Sequence, residues 1–143
     1  MMHMRKLIAA AALVALLVCA LIPSVSFTED KDTILLARTL YALGKHESYE
    51  TKLALGTVVM NRLENNWFAD SLGEVLNDQQ QFPAGSRYDD ESLRAAHDLL
   101  SGKRALGSDA LYYQSADASR SWGEANMVDS IGSYNFYSEN GNI

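Results

Sequence analysis

The chain has 143 residues, with 12 Lys and Arg against 18 Asp and Glu and a single cysteine. That length allows one domain with a modest core. The acidic balance argues against a nucleic-acid partner, whose binding rests on neutralising phosphates, and one cysteine excludes an internal disulfide.

Residues 1–6 carry Arg5 and Lys6, and 7–22 form an uninterrupted apolar run. Pro23 follows, and then Ser24, Val25 and Ser26 put small residues at the two positions a signal peptidase reads. This pattern predicts a secretory signal over 1–26, cut near Ser26 or Phe27, and an exported domain over 27–143. An uncleaved anchor is the alternative, but the apolar run falls short of the ~20 residues that span a bilayer. A lipoprotein reading of Cys19 is weaker still, because Val18 stands where a small residue is wanted. Removing Arg5 and Lys6 leaves ten basic side chains against 18 acidic ones, a net charge of −8. Any carbohydrate ligand must then be gripped in a local groove.

Within 33–63 two apolar helical patterns flank a polar hinge, Gly44-Lys45-His46-Glu47-Ser48. In the first, Leu36, Ala37, Leu40 and Tyr41 share one face at spacings of three and four. Thr33 is the expected N-cap and Gly44 the stop. Ser48 is placed to cap the second helix, with Glu50 in a first turn that favours a carboxylate. Hardly a charge separates Lys52 from Arg62, so this second helix reads as the central buried one. A short helix is expected around 71–76. The stretch 77–88 lacks an apolar period, carries Pro83 and Gly85, and reads as a long polar loop with Phe82 in its middle. Another helix is expected from an Asp89 cap through Leu93, Ala96, Leu99 and Leu100 to Gly102. The last third is different: 110–114 and 128–137 are short, aromatic and extended in pattern. The expectation is a helix-dominated α+β domain with a small β element.

Metal binding finds no support, because His46 and His97 are the two histidines of the exported part and no ligand-spaced cluster surrounds them. No cofactor is implied. A serine-histidine-acid triad can be written from Ser48 and His46, but no nucleophile-elbow motif supports it. The aromatics are more telling: Trp67, Phe68, Phe82, Tyr88, Tyr112, Tyr113, Trp122, Tyr134, Phe136 and Tyr137 all lie outside the main helices. Tyr and Trp offer an apolar face with a polar tip, which suits a sugar ring. Half of them are expected to close the core instead, Phe68, Phe136 and one of Tyr112 and Tyr113 among them. Asn77, Gln79, Gln80, Gln81 and Gln114 supply neutral donors and acceptors of the kind a polysaccharide groove uses.

Five pieces in fixed order, LLARTLYALGKHESYETKLALGTVVMNRL, QQFPAG, SLRAAHDLLSG, ALYYQ and IGSYNFY, resemble the SleB/CwlJ-type cell wall hydrolases, the spore cortex-lytic family. The resemblance spans 34–138. It implies a lysozyme-like, mostly helical fold, a peptidoglycan partner and cleavage of the glycan strand. Members of that family look like lytic transglycosylases, in which one carboxylic acid protonates the glycosidic oxygen and the sugar's own C6 hydroxyl closes a 1,6-anhydro ring. One acid in a dry pocket suffices for such chemistry, without the acid–base pair of most glycosidases. The matching segments further imply that Gln81, Phe82, Tyr112 and Tyr113 line the glycan cleft.

One departure bears on the catalyst. The family run after the first helix holds two glutamates four residues apart, the first being the usual general acid. Here Leu43 stands at the first position, and Glu47 alone matches the second. Glu47 is the best substitute, one helical turn from the lost position; Glu50 reads as a helix-start charge. The alternative is a catalytically silent wall-binding or regulatory protein that kept the groove and lost the acid.

Overall fold

The computed structural model describes residues 30–140. The expected signal at 1–26 lies outside them. Four helices and a three-stranded antiparallel sheet make up the described part, in keeping with the helix-dominated α+β expectation.

Helix α1 covers Lys31–Gly44. Its cap is Asp30, not Thr33: the Asp30 carboxylate accepts the Thr33 amide at 2.7 Å, and Thr33 lies buried inside the first turn. The helix therefore starts a turn earlier than its apolar pattern suggests. Leu36, Ala37 and Leu40 are fully buried as their spacing predicts, whereas Tyr41 stays half-buried at the edge of the face.

Helix α2, Tyr49–Leu63, begins at the Ser48 cap, and every residue from Thr51 to Arg62 is buried. A helix buried on every side belongs at the centre of a small core. Its buried polar groups are all satisfied, as burial requires. Lys52 reaches Glu91 at 2.7 Å, and the Asn61 amide donates to the carbonyls of Gly107 and Ala110. Gly56 lets the next long helix close in, since a Cβ there would lie 2.1 Å from Leu99 Cδ1.

Helix α3, Leu72–Leu76, is capped by Ser71 and buries Leu72, Val75 and Leu76. Helix α4, Asp90–Leu100, is capped by Asp89 and lays Ala95, Ala96 and Leu99 on α1 and α2. Leu93 and Leu100 lie towards its edges.

Strand β1, Tyr112–Ser115, is the first extended aromatic segment. The second is split in two, β2 at Met127–Ile131 and β3 at Tyr134–Tyr137. Ile131 pairs with Tyr134, leaving a two-residue turn whose first member, Gly132, has φ +58°. That conformation is costly for a residue with a Cβ, and glycine there matches the twist of the hairpin. The order is β1-β3-β2, with Tyr112 opposite Tyr137 and Tyr113 opposite Phe136. One face of the sheet sends Tyr113 and Phe136 into the helical core.

Candidate functional site

The hinge between α1 and α2 carries Glu47. The Glu47 amide donates to the Gly44 carbonyl at 2.9 Å, and the Glu47 carbonyl accepts from Lys52 Nζ at 3.3 Å. Lys52 is 2% exposed, so the backbone of this acid hangs on a buried ammonium that also pairs with Glu91. Ser48 accepts the Thr51 amide and shares a hydroxyl contact with Thr51 at 3.1 Å. Glu47 as a whole is half-buried.

The β2–β3 turn closes over this acid. A Cβ on Gly132 would sit 2.7 Å from Glu47 Oε2 and 2.4 Å from Thr51 Oγ1. Two residues on, the Tyr134 hydroxyl donates to the Leu43 carbonyl at 2.6 Å, bolting the hairpin to the end of α1. Burial, and then the negative charge of Glu47, push the Tyr134 hydroxyl above its ordinary value, so it remains a donor. Leu43, at the position of the missing acid, packs its half-buried side chain against the core. His46 and Glu50 are exposed.

The four residues expected to line a cleft divide into two pairs. Gln81 and Tyr112 border a groove of about 130 Å³, together with Asp78, Gln80, Trp122 and Asn140. The Gln81 amide is partly committed, since its oxygen accepts from Arg62 at 3.1 Å and from the Tyr113 amide at 3.4 Å. Phe82 and Tyr113 are core residues instead, 0% and 8% exposed, with ring centroids 6.0 Å apart. Neither presents a ring face to solvent, and Phe82 is no free loop aromatic. Burial, the main cause, drives the Tyr113 hydroxyl far above its ordinary range.

Beneath these residues lies Arg62, 1% exposed, which pattern reading passes over as the end of a helix. Its guanidinium donates to the Leu111 carbonyl, Asp78 and Gln81, and it lies within about 5 Å of the rings of Phe68, Phe82 and Tyr112. A planar fork that both donates and stacks is what such a junction needs. Gly132 carries no mark in the sequence and Tyr134 is marked only as an aromatic, because what they touch is set by the sheet and not by neighbours in sequence. Among the described residues no group of three or more His, Cys, Asp or Glu is placed to hold a metal ion.

The fold, a small helical core with a three-stranded sheet, has known counterparts. Residues 46–137 match the Cell Wall Hydrolase family, and the chain belongs to that family. The matched span contains Glu47. A spore cortex-lytic enzyme of Halalkalibacterium halodurans is 29% identical over 99 residues, covering 65% of this chain and 30% of that protein. One from Oceanobacillus iheyensis is 29% identical over 108 residues, covering 69% and 39%. The chain thus spans about a third of the length of these curated relatives. The catalytic domain of Bacillus cereus SleB superposes with a TM-score of 0.67 at 24% identity, over 74% of this chain and 88% of that one. The catalytic domain of SleB from Bacillus anthracis, a germination-specific lytic transglycosylase, gives 0.60 at 22%, over 79% and 99%. At these identities the two superpositions establish the shared fold.

Proposed function

We propose that this chain is an exported enzyme that cuts the glycan strand of peptidoglycan, with Glu47 as its single general acid. In the reaction Glu47 gives its proton to the glycosidic oxygen as the C1–O bond breaks. The C6 hydroxyl oxygen of the same sugar bonds to C1, and its proton returns to Glu47. The acid is regenerated and the new end is a 1,6-anhydro sugar, so no water is consumed. The observation that carries this reading is the seat of the carboxylate: Glu47 Oε2 and Thr51 Oγ1 both lie close to Gly132 in the β2–β3 turn, 2.7 and 2.4 Å from where a Cβ on that glycine would sit. The Lys52 ammonium holds the Glu47 backbone beside the Ser48 cap, so the half-buried residue that is to give the proton projects from a fixed main chain.

Leu43 favours a second reading, a wall-binding protein without catalysis, because an apolar side chain fills the position of the family's usual acid. Incubating the full chain with purified peptidoglycan and weighing the soluble products separates the two. Cleavage by this route releases muropeptides lighter by one water per cut than hydrolysis products. Glu47→Gln keeps the shape but has no proton to give, and activity should fall at least ~100-fold, the low end for general acid catalysis. Digestion at an unchanged rate by Glu47→Gln would remove Glu47 from the mechanism.

A further inference from the structure

Trp67 is 93% exposed, by far the most exposed large apolar side chain among the described residues. Two bonds present it on a tight turn after α2: Asn65 accepts the Trp67 amide through its side chain at 2.9 Å and the Phe68 amide through its carbonyl at 3.1 Å. The indole overlooks a groove of about 470 Å³ whose other walls include Asn65, Phe68, Tyr112 and Glu139. The floor is rigid. Phe68 and Tyr112 meet edge-on at 6.0 Å, and the Arg62 guanidinium lies 4.8 Å from each ring. Holding an indole in water is unfavourable unless something covers it part of the time.

Glu47 precedes the first turn of α2, and Trp67 follows its last. A helix of 15 residues is about 22 Å long, so the groove is distal to the acid, several linked sugars away. The walls suit such a chain: an indole face for the apolar side of a pyranose, and an amide and a carboxylate for hydroxyl and acetamido N–H groups.

We infer that the Trp67 groove is a distal subsite that stacks an N-acetylated hexosamine of the glycan strand and holds the polymer while Glu47 works. This inference rests on the glycan reading of the protein, but binding and cutting can be measured apart. The probe for binding is chitotetraose, a soluble tetramer of N-acetylglucosamine. In the full chain the Trp67 indole N–H resonance, assigned by its loss in Trp67→Phe, should move on titration. Retention on insoluble peptidoglycan should drop on the order of tenfold in Trp67→Ala, a loss of ~1.4 kcal/mol. The melting temperature should not change, since the removed side chain lies in solvent. A stationary Trp67 resonance together with unchanged retention of Trp67→Ala overturns the subsite, even where the protein digests the wall. Self-association in the ultracentrifuge that depends on Trp67, with no response to chitotetraose, assigns the face to a second copy and likewise overturns it. Trp67-dependent binding with no muropeptides released sinks the cutting reading and leaves the subsite standing.

Discussion

Gly132 and Glu47 are in contact across the hinge and the hairpin: there is no room for a Cβ at 132 without entering the 2.7 Å shell of Glu47 Oε2. The proposed acid is thus positioned from two directions, by the helix start beneath it and by a turn some 85 residues later in the chain. Neither part alone makes the site.

Gly132→Ala tests this contact. The new methyl group meets Thr51 and Glu47 at a φ of +58°, so the turn must lift away. Stability should fall by more than ~1 kcal/mol, the scale for side chains forced into that conformation. Wall digestion should fall further than the loss of folded protein explains. Melting curves and muropeptide release measured together check it; normal activity in a destabilised variant would separate the hairpin from the site.

Phe82→Ala is expected to be severe. A fully buried Phe packed on Tyr113 and beside Arg62 leaves a cavity when truncated, and such changes cost about 3–5 kcal/mol. Denaturant unfolding reads this directly. A loss under ~1 kcal/mol would mean that the 77–88 loop packs far more loosely than its burial indicates.

Pattern reading found the helices because their signals are local: a cap, a 3.6-residue period and a stop. It placed α2 at the centre because charge is absent from its middle. It misjudged Phe82, since nothing within 77–88 has a period, and the burial of that ring comes from Tyr113 on β1, far along the chain. It read 128–137 as one extended piece because a single glycine is a weak mark for a hairpin until its φ is known. Glu47 is marked only by its match to the second glutamate of the family run, and its neighbours Thr51 and Gly132 meet only through the sheet.

Leu43→Glu separates the two accounts of the catalyst. Placing a carboxylate where a half-buried Leu packs on the core should cost about 1–2 kcal/mol. If Glu47 is the acid, the double variant Leu43→Glu with Glu47→Gln stays inactive. Should the parent chain prove inert and the double variant digest peptidoglycan, the acid belongs at position 43 and the parent is a silent binder.

Acid should loosen α4 at its start. Slight burial opposes ionisation of Asp89, but hydrogen bonding from Ser92, whose amide donates to the carboxylate at 2.8 Å, outweighs it and holds the carboxyl below its ordinary 3.8. A carboxyl whose folded pKa is depressed contributes stability that is present above the unfolded value and is lost as pH falls through the folded one. Asp89→Asn keeps a capping oxygen but cannot titrate, so the decline in melting temperature below about pH 3.8 should become shallower. Identical acid profiles for the two proteins would show that this cap does not contribute.

The strand order also sets a schedule. β3 is the central strand, yet it is the last of the three to be made, and β1 and β2 touch it rather than each other. On the ribosome α1 and α2 can pair as soon as both exist, whereas β1 waits for a partner some 20 residues downstream. Glu47 is therefore synthesised early and stays uncovered until the hairpin arrives. Nascent chains halted before residue 134 should carry the acid without its cover, and a protease should find 112–131 open in them while α1 and α2 resist.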